Sequence, residues 1–162
     1  MKKIYSSLEE IKLIGIKVRT SNKGELDSAT AKIAPCVQKY FVQQISGNIN
    51  NRLKPNATYC AYTDYESDYH GEYTFFIGEE VSSFSNTQEG LSTLVVPRQK
   101  YVKFTTESGA MPNIVINSWN QIWQMTPEDL GGTRAYYTDF EVYDQRAIDP
   151  QNTVLDIYIG IN

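Results

Sequence analysis

Residues 4–20 alternate or run apolar through Leu13, Ile14, Ile16 and Val18 until Asn22-Lys23-Gly24 interrupts them, which predicts a strand ending in a turn. The period then changes. Ile33, Val37, Phe41 and Ile45 recur every four residues, the spacing of a helix with one buried stripe. Pro35 suits the first turn of that helix because it has no amide hydrogen to leave unpaired, and Gly47 with the Asn-rich stretch after it ends the helix. Residues 57–66 and 72–81, rich in Tyr, Phe and Thr, predict two strands around the turn Ser67-Asp68-Tyr69-His70-Gly71. The same order follows again: a strand over 91–106 with Pro97 marking a bend or an edge, a helix over 112–126 with Val115, Trp119, Ile122 and Trp123 as its stripe, and strands over 134–143 and 154–161.

That recurrence is also written in residue identities. Tyr62-Thr63-Asp64-Tyr65-Glu66 returns 75 residues later as Tyr137-Thr138-Asp139-Phe140-Glu141. Tyr73 to Gly78 matches Leu155 to Gly160 at a separation of 82, and Gly15 to Thr20 matches Tyr101 to Thr106 at 86. A small sheet with one helix cannot bury its own apolar face, so two such units must close on each other. The predicted architecture is α+β: duplicated β-α-β-β units, at 1–85 and 90–162 of a single domain over 1–162, form a curved antiparallel sheet with two main helices and a central groove.

Composition narrows the chemistry. A chain of 162 residues with one histidine and two cysteines offers too few nitrogen and sulfur ligands for a zinc site, and most Ser-His and Cys-His schemes lose a member. No metal and no cofactor is expected, and Cys36 and Cys60 read as buried structural thiols. Residues 1–55 carry ten Lys or Arg against four acids, and residues 56–162 carry five against fifteen. The acidic larger part disfavours direct nucleic-acid contact and suits a cationic ligand. No apolar run approaches the ~18 residues of a membrane span, and Met1-Lys2-Lys3-Ile4-Tyr5 lacks the apolar stretch of a signal peptide, so a cytoplasmic location is expected.

Twelve tyrosines and two tryptophans stand out against that scarcity of catalysts. On an extended strand Tyr137, Asp139, Glu141 and Tyr143 share a face, with Tyr158 of the last strand and Trp119 of the second helix within reach of it. A carboxylate among aromatic rings either takes up a proton or attracts something positive, and a lipophilic cation meets both the charge and the rings. The same spacing equally fits a solvated outer face, with Trp119 and Trp123 in an ordinary core.

The segment from Tyr62 through Tyr73-Thr74 to Ile77-Gly78-Glu79-Glu80-Val81 resembles the centre of the GyrI-like small-molecule-binding domains, the effector-binding domains of AraC-type and MerR-type multidrug-responsive regulators. The helix carrying Trp119 and the run Asp139-Phe140-Glu141-Val142-Tyr143-Asp144 resemble them too. The resemblance implies two SHS2-like halves and a central aromatic pocket for cationic, often planar, compounds. It places the pocket acid at Glu141 and the helix tryptophan at Trp119, with Tyr158 as the aromatic of the last strand. Tyr137, Tyr143, Phe104 and Trp123 complete the candidate ligand-binding set. Because the chain begins almost at the first strand, the resemblance points to standalone members, some carried on mobile gene cassettes.

The expected function is a non-enzymatic binding protein for amphipathic or cationic small molecules, a sensor or sequestering module. Two other classes stay open: a hydrolase of electrophilic xenobiotics with Glu141 as base, and a protein-interaction module, such as a DNA gyrase inhibitor, with the hairpin 62–81 as its interface; a separate DNA-binding regulator is a further candidate partner.

Overall fold

The computed structural model describes residues 1–162 and contains one eight-stranded antiparallel sheet with four helices, a mixed α/β architecture that is curved and open. The strands are β1 (Lys2–Leu8), β2 (Ile11–Ser21), β3 (Thr58–Thr63), β4 (Glu72–Val81), β5 (Ser92–Val96), β6 (Gln99–Thr105), β7 (Thr138–Tyr143) and β8 (Asp156–Ile161). The helices are α1 (Asn22–Glu25), α2 (Ile33–Val42), α3 (Asn113–Trp123) and α4 (Pro127–Leu130). None is long and apolar enough to cross a membrane.

The sheet order β1-β6-β8-β7-β3-β4-β2-β5 is a palindrome of the two units. Its registers superpose pair by pair. Gly15↔Gly78 lies where Tyr101↔Gly160 lies, and Tyr62↔Phe75 lies where Glu141↔Ile157 lies. Ala61 and Phe140 are mutual partners on the two central strands, so a pseudo-twofold axis runs through them. Under that mapping the counterpart of Glu141 is Tyr62. The identical strings at 62–66 and 137–141 are therefore out of register by four residues and do not occupy equivalent places.

Backbone dihedrals explain the slip. Asp64 has φ 50° and ends β3 at Thr63, which puts Glu66 on an exposed turn rather than on the strand. Tyr136 has φ 53° and delays β7 to Thr138, so the strand expected from 134 begins four residues late.

Two further departures have one cause. The single strands expected over 4–20 and 91–106 each split, at Glu9-Glu10 and at Pro97-Arg98. In both cases the two pieces serve different halves of the sheet: β1 pairs with β6 of the second unit, and β5 pairs with β2 of the first. Each unit thus lends its leading strand to the other, and the repeat boundaries at 1–85 and 90–162 do not coincide with the spatial halves. The two crossing links are tied by Arg98 Nε and Glu9 Oε1 at 3.5 Å. Pro97, with no amide to donate, sits at the break where no ladder bond is lost.

The helices lie on one side of the sheet. Cys36 and Tyr40 of α2 pack on Ile14, Ile16, Phe75 and Ile77, and Trp119 and Ile122 of α3 pack on Val102, Phe104, Ile157 and Ile159. Phe41, expected in the stripe of the first helix, is 56% exposed; Tyr40 takes its place because the helix is rotated by one position over the sheet. Helix α3 stops at Trp123, short of the expected 126, because Thr126 caps a new helix with Pro127 in its first turn and Asp129 closing a capping box. A third core, on the helix-free face, contains Leu13, Tyr59, Ala61, Phe76, Val96, Tyr101 and Phe140. Strand β4 lies inside the sheet between β3 and β2, so the hairpin 62–81 offers no free edge to a partner.

The seam between β2 and β4 tests this geometry. A Cβ added at Gly78 would meet the Ile14 carbonyl oxygen at 2.1 Å, and that oxygen belongs to backbone held by the ladder. Gly78→Ala is expected to destabilise the protein by about 3 kcal/mol or more, read as a lower urea midpoint. A midpoint equal to that of the parent protein would mean that the two strands are not so closely apposed.

Candidate functional site

Glu141 lies in the middle of β7, next to the axis, with its side chain on the helix-covered face and only 2% exposed. Three donors converge on its carboxylate. Trp119 Nε1 of α3 donates to Oε2 at 2.6 Å, Tyr62 of β3 donates to the same oxygen at 2.9 Å, and the Tyr143 hydroxyl donates to Oε1 at 2.7 Å. The Tyr62 ring packs edge-on against Trp119 with centroids 5.1 Å apart, and against Phe75 at 5.6 Å. Tyr62 and Tyr143 each touch both helix-side cores, so Glu141 sits at the junction of the two halves.

Burial pushes the Glu141 carboxyl above its ordinary value of 4.5, while the bonds from Trp119, Tyr143 and Tyr62 hold it back. Burial, with the neighbouring carboxylate adding to it, pushes the Tyr62 and Tyr143 phenols well up, so both remain proton donors. No Lys or Arg forms an ion pair with Glu141. The arrangement is a dry, polarised acid with donors on both oxygens and no resident cation.

Asp139, two residues earlier on the same face, has a different fate. It is fully buried, with Arg134 as ion-pair partner, the Tyr65 hydroxyl donating at 2.6 Å and the Gly160 amide donating at 2.8 Å. Its charge is satisfied inside the fold. Pairing across the axis is completed by the hydroxyls of Thr63 and Thr138, 2.9 Å apart.

The expected site residues separate into groups. Trp119 and Tyr143 touch the Glu141 carboxylate. Phe104 is buried in the α3-side core together with Trp119, and Trp123 lies 6.1 Å from Trp119 and stacks on Tyr69. Tyr158 lies on the opposite face: its β8 neighbour Ile157 is the residue paired with Glu141, and alternation turns Tyr158 the other way, stacked on Phe140 at 4.5 Å. Tyr137 is 64% exposed because the left-handed turn at Tyr136 breaks the alternation on which its placement depended. Tyr62 is the residue that sequence reasoning passed over. Its equivalence to Glu141 follows from the pairing of Ala61 with Phe140, a separation of 79 residues, which the conspicuous five-residue string at 75 concealed.

Two of the surface cavities bear on the site. One of about 860 Å³ lies on the helix-free face, floored by Tyr59, Phe140, Val142 and Tyr158 and rimmed by Glu9, Glu10, Glu80, Asp144 and Asp156. The other, of about 210 Å³, lies at the end of α3 and is lined in part by Trp123, Tyr69 and Arg134. Neither reaches Glu141 or Trp119; aromatic side chains fill the space beside the acid. No group of three or more His, Cys, Asp or Glu side chains converges to hold a metal ion, and both cysteines are free and buried.

The family model described as Cass2, integron-associated effector binding protein, matches residues 6–161. The chain belongs to this family. A candidate transcriptional regulator protein of Bacillus subtilis (strain 168), YobU, is 29% identical over 148 residues, covering 91% of this chain and 89% of YobU. The integron cassette protein VCH_CASS2 from the mobile metagenome of Vibrio cholerae superposes with a TM-score of 0.77 at 30% identity, over 99% of this chain and 95% of that one. The structure of SAV2435 bound to tetraphenylphosphonium shares the fold, with a TM-score of 0.74 at 17% identity over 100% of this chain and 94% of that one. The resemblance to GyrI-like effector-binding domains noted in the sequence thus holds as a shared fold.

The Trp119 donor gives a pH-dependent prediction. Trp119→Phe keeps most of the apolar bulk but removes the indole N–H, which favours the ionised form of Glu141. The loss is expected to cost about 1–3 kcal/mol where Glu141 is ionised and clearly less at acid pH where it is protonated, measured by urea unfolding at two pH values. An equal cost at both would show that the indole serves packing alone.

Proposed function

We propose that this protein is a non-enzymatic binding module for amphipathic organic cations, with Glu141 as the acid that meets the positive charge and Trp119, Tyr62 and Tyr143 as the surrounding rings. The observation that carries this reading is a carboxylate 2% exposed with three neutral donors and no cation of its own. Desolvation makes the ionised form costly, and an incoming cation supplies the missing counter-charge while its apolar body replaces water-free protein contacts. Each cation–π contact contributes roughly 0.5–2 kcal/mol in such surroundings. Membership of an effector-binding family supports the reading, as does the tetraphenylphosphonium held by SAV2435, a protein of the same fold.

Because rings fill the space next to Glu141, a ligand enters only if something moves, and α3 is the element suited to it. It has 11 residues, no side-chain cap at its start, and no charge in either end turn to favour the helix dipole. Asn113, Ile114, Val115, Ile116, Asn117, Ser118 and Asn120 are weak helix formers, so the helix depends on packing rather than on its own propensity. Displacing it exposes Glu141 and brings Trp119 to the ligand's flank.

Hydrolysis by Glu141 needs an ordered water against the carboxylate, where three of its roughly four acceptor sites already receive protein donors. A protein-interaction role through strand addition at the hairpin 62–81 has no free edge to use, since β4 is an interior strand.

A cation prefers ionised Glu141, whose proton affinity is raised, so binding is expected to release a proton and to tighten as pH rises through the raised value. Calorimetry with tetraphenylphosphonium in buffers of different ionisation enthalpy reads the proton directly. Glu141→Gln is expected to weaken binding at least tenfold, about 1.4 kcal/mol, and to abolish the proton release. Undiminished affinity in that variant would remove Glu141 from the site.

A further inference from the structure

The cavity of about 210 Å³ lies between the end of α3, α4 and the segment that leads into β7, with the 64–71 turn opposite. Trp123 and Tyr69, stacked at 5.9 Å with planes 13° apart, contribute to its wall, and Ile122, Leu130, Tyr136 and Arg134 are among the other lining residues. Arg134 is the unusual member. Its side chain is 8% exposed, and Nη2 is committed to Asp139, yet Nε and Nη1 have no hydrogen-bond partner. Buried guanidinium N–H groups are normally satisfied, and leaving two without an acceptor costs about 1–3 kcal/mol each. The charge itself is already met by Asp139, which is fully buried. What the site lacks is an acceptor without a charge, because a second anion would sit close to the Asp139 carboxylate.

We propose that this cavity is a second binding site, for an uncharged planar aromatic group bearing one hydrogen-bond acceptor that Arg134 receives. An apolar cavity of about 150 Å³ accommodates benzene, so the volume here suits one substituted ring. The stacked Trp123 and Tyr69 offer the flat wall on which such a ring lies. The Tyr136 ring covers the guanidinium at 4.3 Å, from a residue held at φ 53°, and must turn about its side-chain bonds to admit the acceptor. The site is separate from Glu141. It prefers neutral ligands where the Glu141 site prefers cations, and it does not depend on the reading of that acid.

The test is an amide and side-chain NMR titration of the full chain with benzamide, toluene and protonated benzylamine. Benzamide is expected to bind at about millimolar affinity, the range open to a ligand of that size, moving the Trp123 indole and Arg134 Nε–H signals saturably. Toluene, with no acceptor, is expected to bind roughly tenfold more weakly, and protonated benzylamine to leave both signals in place. Arg134→Lys keeps a charge facing Asp139 but removes the spare planar donors, and is expected to lose benzamide roughly tenfold with the remaining spectrum conserved. Absence of a saturable benzamide shift overturns the proposal, as does toluene binding equally well, or benzamide shifts that centre on Trp119 rather than Trp123.

Discussion

An ionisable carboxylate kept out of water without a counter-charge is the constraint around which the rest of the molecule is arranged. Glu141 stands where β7 meets β3, at the seam of two units that are each too small to enclose anything. Its three donors come from the first unit, from α3 and from its own strand. Pulling the halves apart, or lifting α3, would return the acid to water. The fold therefore couples the protonation of one carboxyl to the packing of an entire helix.

The interlocked sheet supplies the stiffness that such a seam needs. With β1 given to the second half and β5 to the first, neither half can part from the other without breaking a whole strand ladder. Helix α3, by contrast, rests on the sheet through side chains and has neither a side-chain cap nor end charges to stabilise it. Asp139 shows what a satisfied buried acid looks like in the same surroundings: one arginine, one tyrosine and one amide close it off. The contrast between two acids two residues apart separates a carboxylate with a buried counter-charge from one held by neutral donors alone.

Much of this was legible in the sequence. Hydrophobic period and turn residues located both main helices and the strands of each unit, and the alternation on β7 put Glu141 and Tyr143 on one face. The matches at separations of 82 and 86 residues are the true registers of the halves. The five-residue string was more conspicuous and less informative, since a left-handed residue at Asp64 takes the remainder of its first copy out of the sheet after Thr63. Strand exchange left no trace in periodicity, because Glu9-Glu10 and Pro97-Arg98 look like ordinary breaks and pairing partners are non-local. Arg134 was equally silent: a single arginine in a loop acquires meaning only when Asp139 and the cavity are placed beside it.

Cysteine and histidine scarcity excluded much chemistry, and the family relationship gives the remaining inventory a direction: aromatic rings and an acid suit recognition more than turnover. The central claim is that Glu141 is a desolvated acid whose missing partner is an external cation. Carbon-detected NMR titration of the Glu141 side-chain carboxyl, in the free protein and with saturating tetraphenylphosphonium, tests it most directly. The account predicts a titration above the ordinary 4.5 in the free protein and a marked fall on adding the cation. A carboxyl that titrates at its ordinary value, or one whose titration the cation leaves unchanged, would contradict it.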